Sequence, residues 1–257
     1  MKIALFQLAL AWENPEANLL HIAEKLADLE KDTHIVILPE MFTTGFSMHS
    51  ADLAEDMQGN TLLFMQKMAE KYDILLCGSL ILQENGQYFN RFVAVSSAGL
   101  LAKYDKRHLF SMAGESLSYI SGEEKVFFEY KTWKIRPLIC YDLRFPIWSR
   151  NHFDAEGNAE YDLLLYVANW PERRISHWEK LLQARAIENQ SYVIGVNRVG
   201  KDGKEIVYTG SSMSVDFLGN MMCENRVGEE AILYANLEKE ALDLYREKFP
   251  AWKDADL

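Results

Sequence analysis

Apolar residues along this chain occur in two alternating patterns: short continuous runs, and stretches in which they recur every three or four positions. Such an alternation predicts buried strands interleaved with amphipathic helices. Lys2-Ile3-Ala4-Leu5-Phe6-Gln7-Leu8 is the first run. Asn14-Pro15-Glu16 then reads as a helix start, with Asn as cap, Pro at the first helical position and an acid in the first turn. Leu19, Ile22, Leu26 and Leu29 continue it at helical spacing. Residues 34–39 are too few for a helix and predict a second strand. Leu62, Met65, Met68 and Tyr72 predict a second helix, and residues 73–81 a third strand. The first third is therefore β-α-β-α-β.

The same order returns from Trp133. Residues 134–140 predict a strand, Pro146 opens a helix, residues 161–167 predict a buried strand, Ile175, Trp178, Leu181 and Leu182 mark a helix, and residues 192–196 form another strand. Between the halves, residues 87–97 and 100–104 predict strands joined at Ser97-Ala98-Gly99, and beyond Gly210 strand-like runs are punctuated by Gly219-Asn220. Strands that are apolar without alternation need cover on both faces. The prediction is thus an α/β fold, a four-layer α-β-β-α sandwich of two pseudo-symmetric β-α-β-α-β halves, with two helices outside each sheet and a single domain over residues 1–257. A doubly wound nucleotide-binding sheet is the rival topology, but no G-x-G-x-x-G follows a strand and no G-x-x-x-x-G-K-[ST] occurs.

Composition narrows the partners. With 257 residues, 49% hydrophobic and 25% charged, the chain has the balance of an ordinary globular protein. No apolar stretch is long enough for a membrane span, and the first residues run straight into a strand, so a cytoplasmic protein is expected. Twenty-seven Lys plus Arg against 38 Asp plus Glu gives a net charge of −11, which repels polyphosphates and anionic membranes, so neither nucleic acid nor membrane is an expected partner. Cys77, Cys140 and Cys223, and the six scattered histidines, show no metal-ligand spacing and no disulfide framework. No metal and no cofactor is expected.

Functional groups in α/β folds collect where strands end. Glu40 ends the run Ile35-Val36-Ile37-Leu38-Pro39, Lys106 follows the strand ending near Tyr104, and Cys140 ends Pro137-Leu138-Ile139. Taken singly, each has a plain structural reading: a Glu capping the next turn, a Lys in a solvated charge run, a Cys serving as a small buried hydrophobe, which is the reading kept for Cys77 and Cys223. Glu40 and Cys140 nonetheless stand at what read as corresponding ends of the two halves, which would bring them together across the seam of the sandwich.

Leu-Pro-Glu at residues 38–40, Tyr-Asp-Lys-Arg-His-Leu-Phe at 104–110 and Ile-Cys-Tyr-Asp-Leu-Arg-Phe-Pro at 139–146 resemble the three motifs of the carbon-nitrogen hydrolase (nitrilase) superfamily, in that order and over nearly the whole chain. Glu40-Met41-Phe42-Thr43-Thr44-Gly45-Phe46, Ala168-Asn169-Trp170-Pro171 and the segment 184–190 are most similar to its omega-amidase branch. The resemblance implies a thiol amidohydrolase acting on a small amide, with 2-oxoglutaramate and 2-oxosuccinamate as substrates. Amide hydrolysis needs a nucleophile, a proton carrier and donors for the developing oxyanion. Cys140 is the expected nucleophile, Glu40 the base, and Lys106 and the Tyr141 backbone N–H the oxyanion donors, with the Lys106 charge expected to favour thiolate. Glu115 resembles the second glutamate of the family; its other reading is an exposed loop acid.

Arg144 is the expected anchor for a substrate carboxylate, because a guanidinium fork binds one bidentately. Trp170 is expected to wall the pocket. Arg174 belongs either to the site or to an exposed first helical turn. Phe42, Phe46 and Met48 could form a closing loop, and Glu188 a structural ion pair behind the site. A nitrile or N-carbamoyl hydrolase would use the same residues, and a non-catalytic binding protein could dock through Tyr245, Phe249 and Trp252. A homodimer is expected, through the helix after Cys140, with the helix and tail over about residues 238–257 packing on the partner.

Overall fold

The computed structural model describes residues 1–224 and 226–255. Its first half comprises β1 (Lys2–Gln7), α1 (Pro15–Ala27), β2 (Ile35–Ile37), α2 (Ser50–Leu53), α3 (Asn60–Tyr72), β3 (Leu75–Glu84), β4 (Gln87–Ser96) and β5 (Gly99–Asp105). The one-turn helix α4 (Glu115–Ser118) and strand β6 (Phe128–Tyr130) lead to β7 (Trp133–Ile139), α5 (Pro146–Ser149), β8 (Leu163–Ala168), α6 (Ile175–Asn189) and β9 (Tyr192–Asn197). Strands β10 (Val199–Lys201), β11 (Val207–Thr209), β12 (Met213–Val215) and β13 (Ala231–Asn236) and helix α7 (Lys239–Lys248) follow.

Two sheets result, in orders β13-β1-β2-β3-β4-β5 and β12-β9-β8-β7-β6, with β10 and β11 as a separate ribbon. The repeat foreseen from the sequence is their centre: β1, β2 and β3 are parallel neighbours, and so are β7, β8 and β9. Alternation along β1 shows how both faces are buried. Ala4 and Phe6 pack outward with Ile22 and Leu26 of α1 and Met65 and Met68 of α3, while Ile3 and Leu5 belong to the core that includes the second sheet. On that sheet, Trp178, Leu182 and Ala186 of α6 join Leu163, Leu165 and Val167 of β8. The layers are α-β-β-α.

Local chemistry sets the boundaries. Asn14 Oδ1 accepts the Ala17 N–H at 3.1 Å and Pro15 opens α1. Asp73 ends α3 in the left-handed region, φ 51°, its N–H bonded to the Ala69 carbonyl, so the strand starts at Leu75 rather than at Asp73. It also runs past Ile81 to Glu84, because Asn85 and Gly86, both at positive φ, turn it into a hairpin with β4.

One expectation is corrected. Pro146 opens a helix of only four residues, so of the two helices predicted outside the second sheet only α6 is long. The C-terminal segment, as far as residue 255, packs on its own chain. Leu242 is fully buried, Arg246 pairs with Asp162 at 2.8 Å, Tyr245 stacks on Phe217 and Trp252 on Phe153. Two of the three aromatics considered for partner docking are thus engaged internally.

One close approach behind Glu40 is open to test. A Cβ at Gly78 in β3 would lie 2.7 Å from Phe42 Cδ1 and 3.0 Å from Leu38 Cβ. Gly78→Ala is therefore expected to destabilise the fold by about 1–3 kcal/mol through overpacking; urea unfolding measures it, and an unchanged midpoint would refute the packing argument.

Candidate active site

Three chain segments meet at the seam between the sheets. Glu40 follows β2, whose ladder Leu38 extends by donating its N–H to the Cys77 carbonyl at 2.7 Å. Lys106 follows β5, and its main chain is held by the Asn90 carbonyl at 3.0 Å and the Gly122 N–H at 2.9 Å. Cys140 follows β7 directly, at φ 44°, and begins a 3-10 turn over Cys140–Arg144. The correspondence between halves is not the one expected: Glu40 follows the second parallel strand of its half, Cys140 the first of its own. The counterpart of Glu40 is the segment after β8, and Asn169 there reaches Glu40 directly. Its N–H donates to Glu40 Oε2 at 2.8 Å, and its Nδ2 donates to the Glu40 carbonyl at 2.6 Å.

Lys106, Glu40 and Glu115 form a buried ionic cluster. Lys106 Nζ lies 2.8 Å from Glu40 Oε1, 2.8 Å from Glu115 Oε1 and 3.0 Å from Glu115 Oε2. Asn90, in mid-β4, donates from Nδ2 to Glu40 Oε1 at 2.8 Å and to Glu115 Oε1 at 3.3 Å, and its Oδ1 accepts the Ser79 hydroxyl at 2.9 Å. The Phe110 N–H donates to Glu115 Oε2. Glu115 is thus a member of the cluster and not a loop acid. Beside it, half-buried Cys140 has its Sγ 3.9 Å from the Asn169 carbonyl. Glu188 pairs with Arg185 at 2.8 Å, and Arg185 donates to the Leu143 carbonyl at 2.7 Å, which puts that ion pair behind the Cys140 turn.

A cavity of about 350 Å³ opens onto Cys140 and Lys106. Tyr141, Arg144, Trp170, Arg174 and Phe46 all line it. Trp170 is fixed by donating Nε1 to the Arg174 carbonyl at 2.8 Å, and the Arg144 guanidinium lies 4.8 Å above its ring. The loop at residues 41–48 does not form a lid. Phe42 is wholly buried in the first sheet's outer core, Met48 packs against the Met41, Ile81 and Tyr119 cluster, and only Phe46 reaches the cavity, its ring 5.1 Å from Lys106 Nζ.

Residues 2–247 match the carbon-nitrogen hydrolase family. The chain belongs to that family. It is 44% identical over 256 residues to a Yersinia enterocolitica protein named omega-amidase YafV, covering all of this chain and 97% of the relative. A Bacillus subtilis 2-oxoglutaramate amidase is 31% identical over 255 residues, covering 98% and 96%. Among solved structures, a CN-hydrolase superfamily protein from Xanthomonas campestris, described with an arsenic adduct in its active site, superposes with a TM-score of 0.96 at 41% identity, covering 100% and 97% of the two chains.

Within this family member the charges decide the resting protonation state. Burial lowers the affinity of Lys106 for its proton, but the Glu115 and Glu40 carboxylates outweigh it, so the ammonium is held charged, above the usual lysine range. Desolvation raises Glu115. At Cys140, burial and the Glu40 and Glu115 charges push the thiol well above its ordinary range, and Lys106 alone does not offset them. Lys106 favours the thiolate, as expected, but burial and the two carboxylates outweigh it and the thiol stays raised. One ammonium faces two carboxylates, and a thiolate would add a third negative charge to a desolvated site.

The sequence reading missed Arg173 at the cavity, and also Asp202, Lys204, Ile206 and Tyr208 from β11 and the turn that joins it to β10. Asp202 accepts the N–H groups of Lys204 and Ile206 and the Tyr208 hydroxyl, which takes three of its roughly four acceptor positions. Arg144, Arg173, Arg174 and Lys204 leave the outer cavity strongly cationic. Burial, Arg173 and Arg144 together lower the pKa of Arg174, a crowding that a bound anion would relieve. Gly200 and Gly203 mark a turn in the sequence, but its placement over Cys140 is a long-range result.

The charge argument makes a signed prediction. Glu40→Gln removes the nearest like charge, so the pH midpoint for Cys140 alkylation by iodoacetamide should fall by about one unit or more, while amide turnover falls on the order of 1,000-fold for want of a base. An unchanged or higher midpoint would refute the assignment of the raised thiol to Glu40.

Proposed function

We propose that the chain, acting as one catalytic domain over residues 1–257, hydrolyses the terminal amide of short 2-oxo dicarboxylate monoamides, 2-oxoglutaramate and 2-oxosuccinamate, through a thioester on Cys140. The observation that carries this reading is the acceptor arrangement at Glu40. Oε1 takes Lys106 and Asn90, Oε2 takes the Asn169 N–H, and one acceptor position is left for the neighbouring thiol. The amidase names of the full-length relatives support the same reaction.

As sulfur bonds to the amide carbon, Glu40 takes the thiol proton, and the oxyanion is met by Lys106 and the Tyr141 N–H, which has no earlier partner in its 3-10 turn. Glu40 returns the proton to the departing nitrogen, the C–N bond breaks and ammonia leaves. Water deprotonated by Glu40 then attacks the thioester, the C–S bond breaks, and thiol and acid product are released. Glu115 shares Lys106 with Glu40 and holds the ammonium in place. Arg144 and Arg174 bind the substrate carboxylate, with Trp170 and Phe46 as walls. A 2-oxo group suits this cavity better than a 2-amino group: against Arg144, Arg173, Arg174 and Lys204 the one acid lining it among the described residues is Asp202, and three donors already take most of its acceptor positions.

Rates on 2-oxoglutaramate, glutamine and an uncharged short amide test the reading. The expected order puts 2-oxoglutaramate at least about 100-fold above glutamine in kcat/KM, and Arg144→Lys should cost the carboxylated amides roughly 10–100-fold but the uncharged one under about threefold. Preference for glutamine, or for a nitrile or N-carbamoyl compound, would overturn it.

We also propose a homodimer through α5, where Ile147 is 87% exposed one helical turn from the nucleophile's loop. Light scattering at micromolar concentration should give a dimer mass for the wild type and a monomer for Ile147→Asp; a monomeric wild type would refute the pairing.

A further inference from the structure

Asp142, two residues beyond Cys140, is fully buried and takes no direct part in the chemistry described above. Its carboxylate is saturated. Oδ1 accepts the His108 main-chain N–H at 2.9 Å and the His108 ring at Nδ1 at 2.8 Å; Oδ2 accepts the Tyr104 hydroxyl at 2.8 Å and the Ile139 main-chain N–H at 3.0 Å. An ionised carboxylate offers about four acceptor positions, so none is left for a ligand. Because it can only accept, His108 Nδ1 must carry a hydrogen.

The origin of the donors is what matters. Tyr104 and His108 flank Lys106 by two residues on either side, at the end of β5 in the first sheet. Ile139 is the last residue of β7 in the second sheet and immediately precedes Cys140. One buried side chain therefore joins the segment that carries Lys106 to the turn that carries Cys140. His108 adds a second fastening, stacking on Phe145 at the end of that turn with ring centroids 3.8 Å apart and planes 10° from parallel. Glu40 has its own link across the seam, through Asn169. We propose that Asp142 is a positioning residue that fixes Lys106 relative to the Cys140 sulfur, and so sets the rate of amide attack. The inference rests on the roles given to Cys140 and Lys106 under the proposed function.

The geometry requires a carboxylate here, not merely a polar group. Each oxygen receives one main-chain N–H, and a main-chain donor cannot be reversed. Asn in the same place would turn its amide N–H₂ toward either Ile139 or His108, leaving donor against donor in a buried site. Tyr104 cannot compensate, since its oxygen already accepts the Arg107 N–H at 3.2 Å and Trp148 Nε1 at 3.1 Å.

The test counts active sites before measuring rates. Cys140 is titrated by iodoacetamide and located by peptide mass, kcat is expressed per titrated thiol, and affinity for the dicarboxylate 2-oxoglutarate is measured separately. Asp142→Asn should lower kcat per thiol by about 100-fold while 2-oxoglutarate affinity stays within about threefold, because displacement on the scale of an ångström costs rate more than binding. Tyr104→Phe, which removes one of the four donors to Asp142 together with the acceptor of the Arg107 and Trp148 N–H groups, should lower kcat per thiol by roughly 5–10-fold with the same split. A folded Asp142→Asn with undiminished kcat per thiol, or with an equal loss of ligand affinity, overturns the proposal. If Asp142→Asn does not fold, Tyr104→Phe decides, and its full activity per thiol is the overturning result. Failure of the substrate reading looks different: the wild type itself would not hydrolyse 2-oxoglutaramate, and the variants would then be compared on the amide it hydrolyses best.

Discussion

The molecule is organised around one costly constraint, an ammonium and two carboxyl groups sealed between two apolar sheets. Removing each charge from water costs several kcal/mol, offset only if every partner is in place. Lys106 alone cannot satisfy both Glu40 and Glu115, so neutral donors must come from neighbouring backbone and side chains. Asn90 comes from the middle of β4, the Asn169 N–H from the end of β8 and the Phe110 N–H from the loop before α4. These donors come from both sheets. The site cannot assemble unless the sheets are docked, and the docked sheets could not tolerate the charges without those donors.

How much of this was legible from residues alone follows from the range of the interactions. The strand and helix periods are local, and they yielded the two parallel cores, the cap at Asn14 and the layered architecture. Glu40, Lys106 and Cys140 could be singled out because each is a polar residue directly after an apolar run. Asn90 gave no such signal. It sits among Tyr88, Phe89, Arg91 and Phe92, an unremarkable strand, and it enters the cluster because β4 pairs with β3 in the register that sets Asn90 opposite Ile81. Register between strands is a tertiary outcome that no local pattern carries.

The misjudged features share that cause. Lys106 taken by itself favours a thiolate; Glu40 and Glu115 were already candidates, and only their packing shows that with burial they outweigh it. The apolar tail residues Leu242 and Tyr245 find cover within their own chain, in the core between the sheets and on Phe217. The loop after Glu40 looked able to move, yet Phe42 is anchored where Gly78 leaves room for its ring.

For an enzyme of the proposed activity, the paired glutamates have a consequence for how a turnover ends. The substrate brings a neutral amide to Lys106, but hydrolysis leaves an acid there, and once ionised it is a third carboxylate beside a single ammonium. Repulsion in so dry a site is strong. At its far end the product is still held by the cationic rim around Arg144 and Arg174, so it is drawn outward from the sulfur rather than retained against it. The same two acids that raise the thiol would therefore make the site a poor host for its own product, and bias each cycle toward clearance rather than reversal.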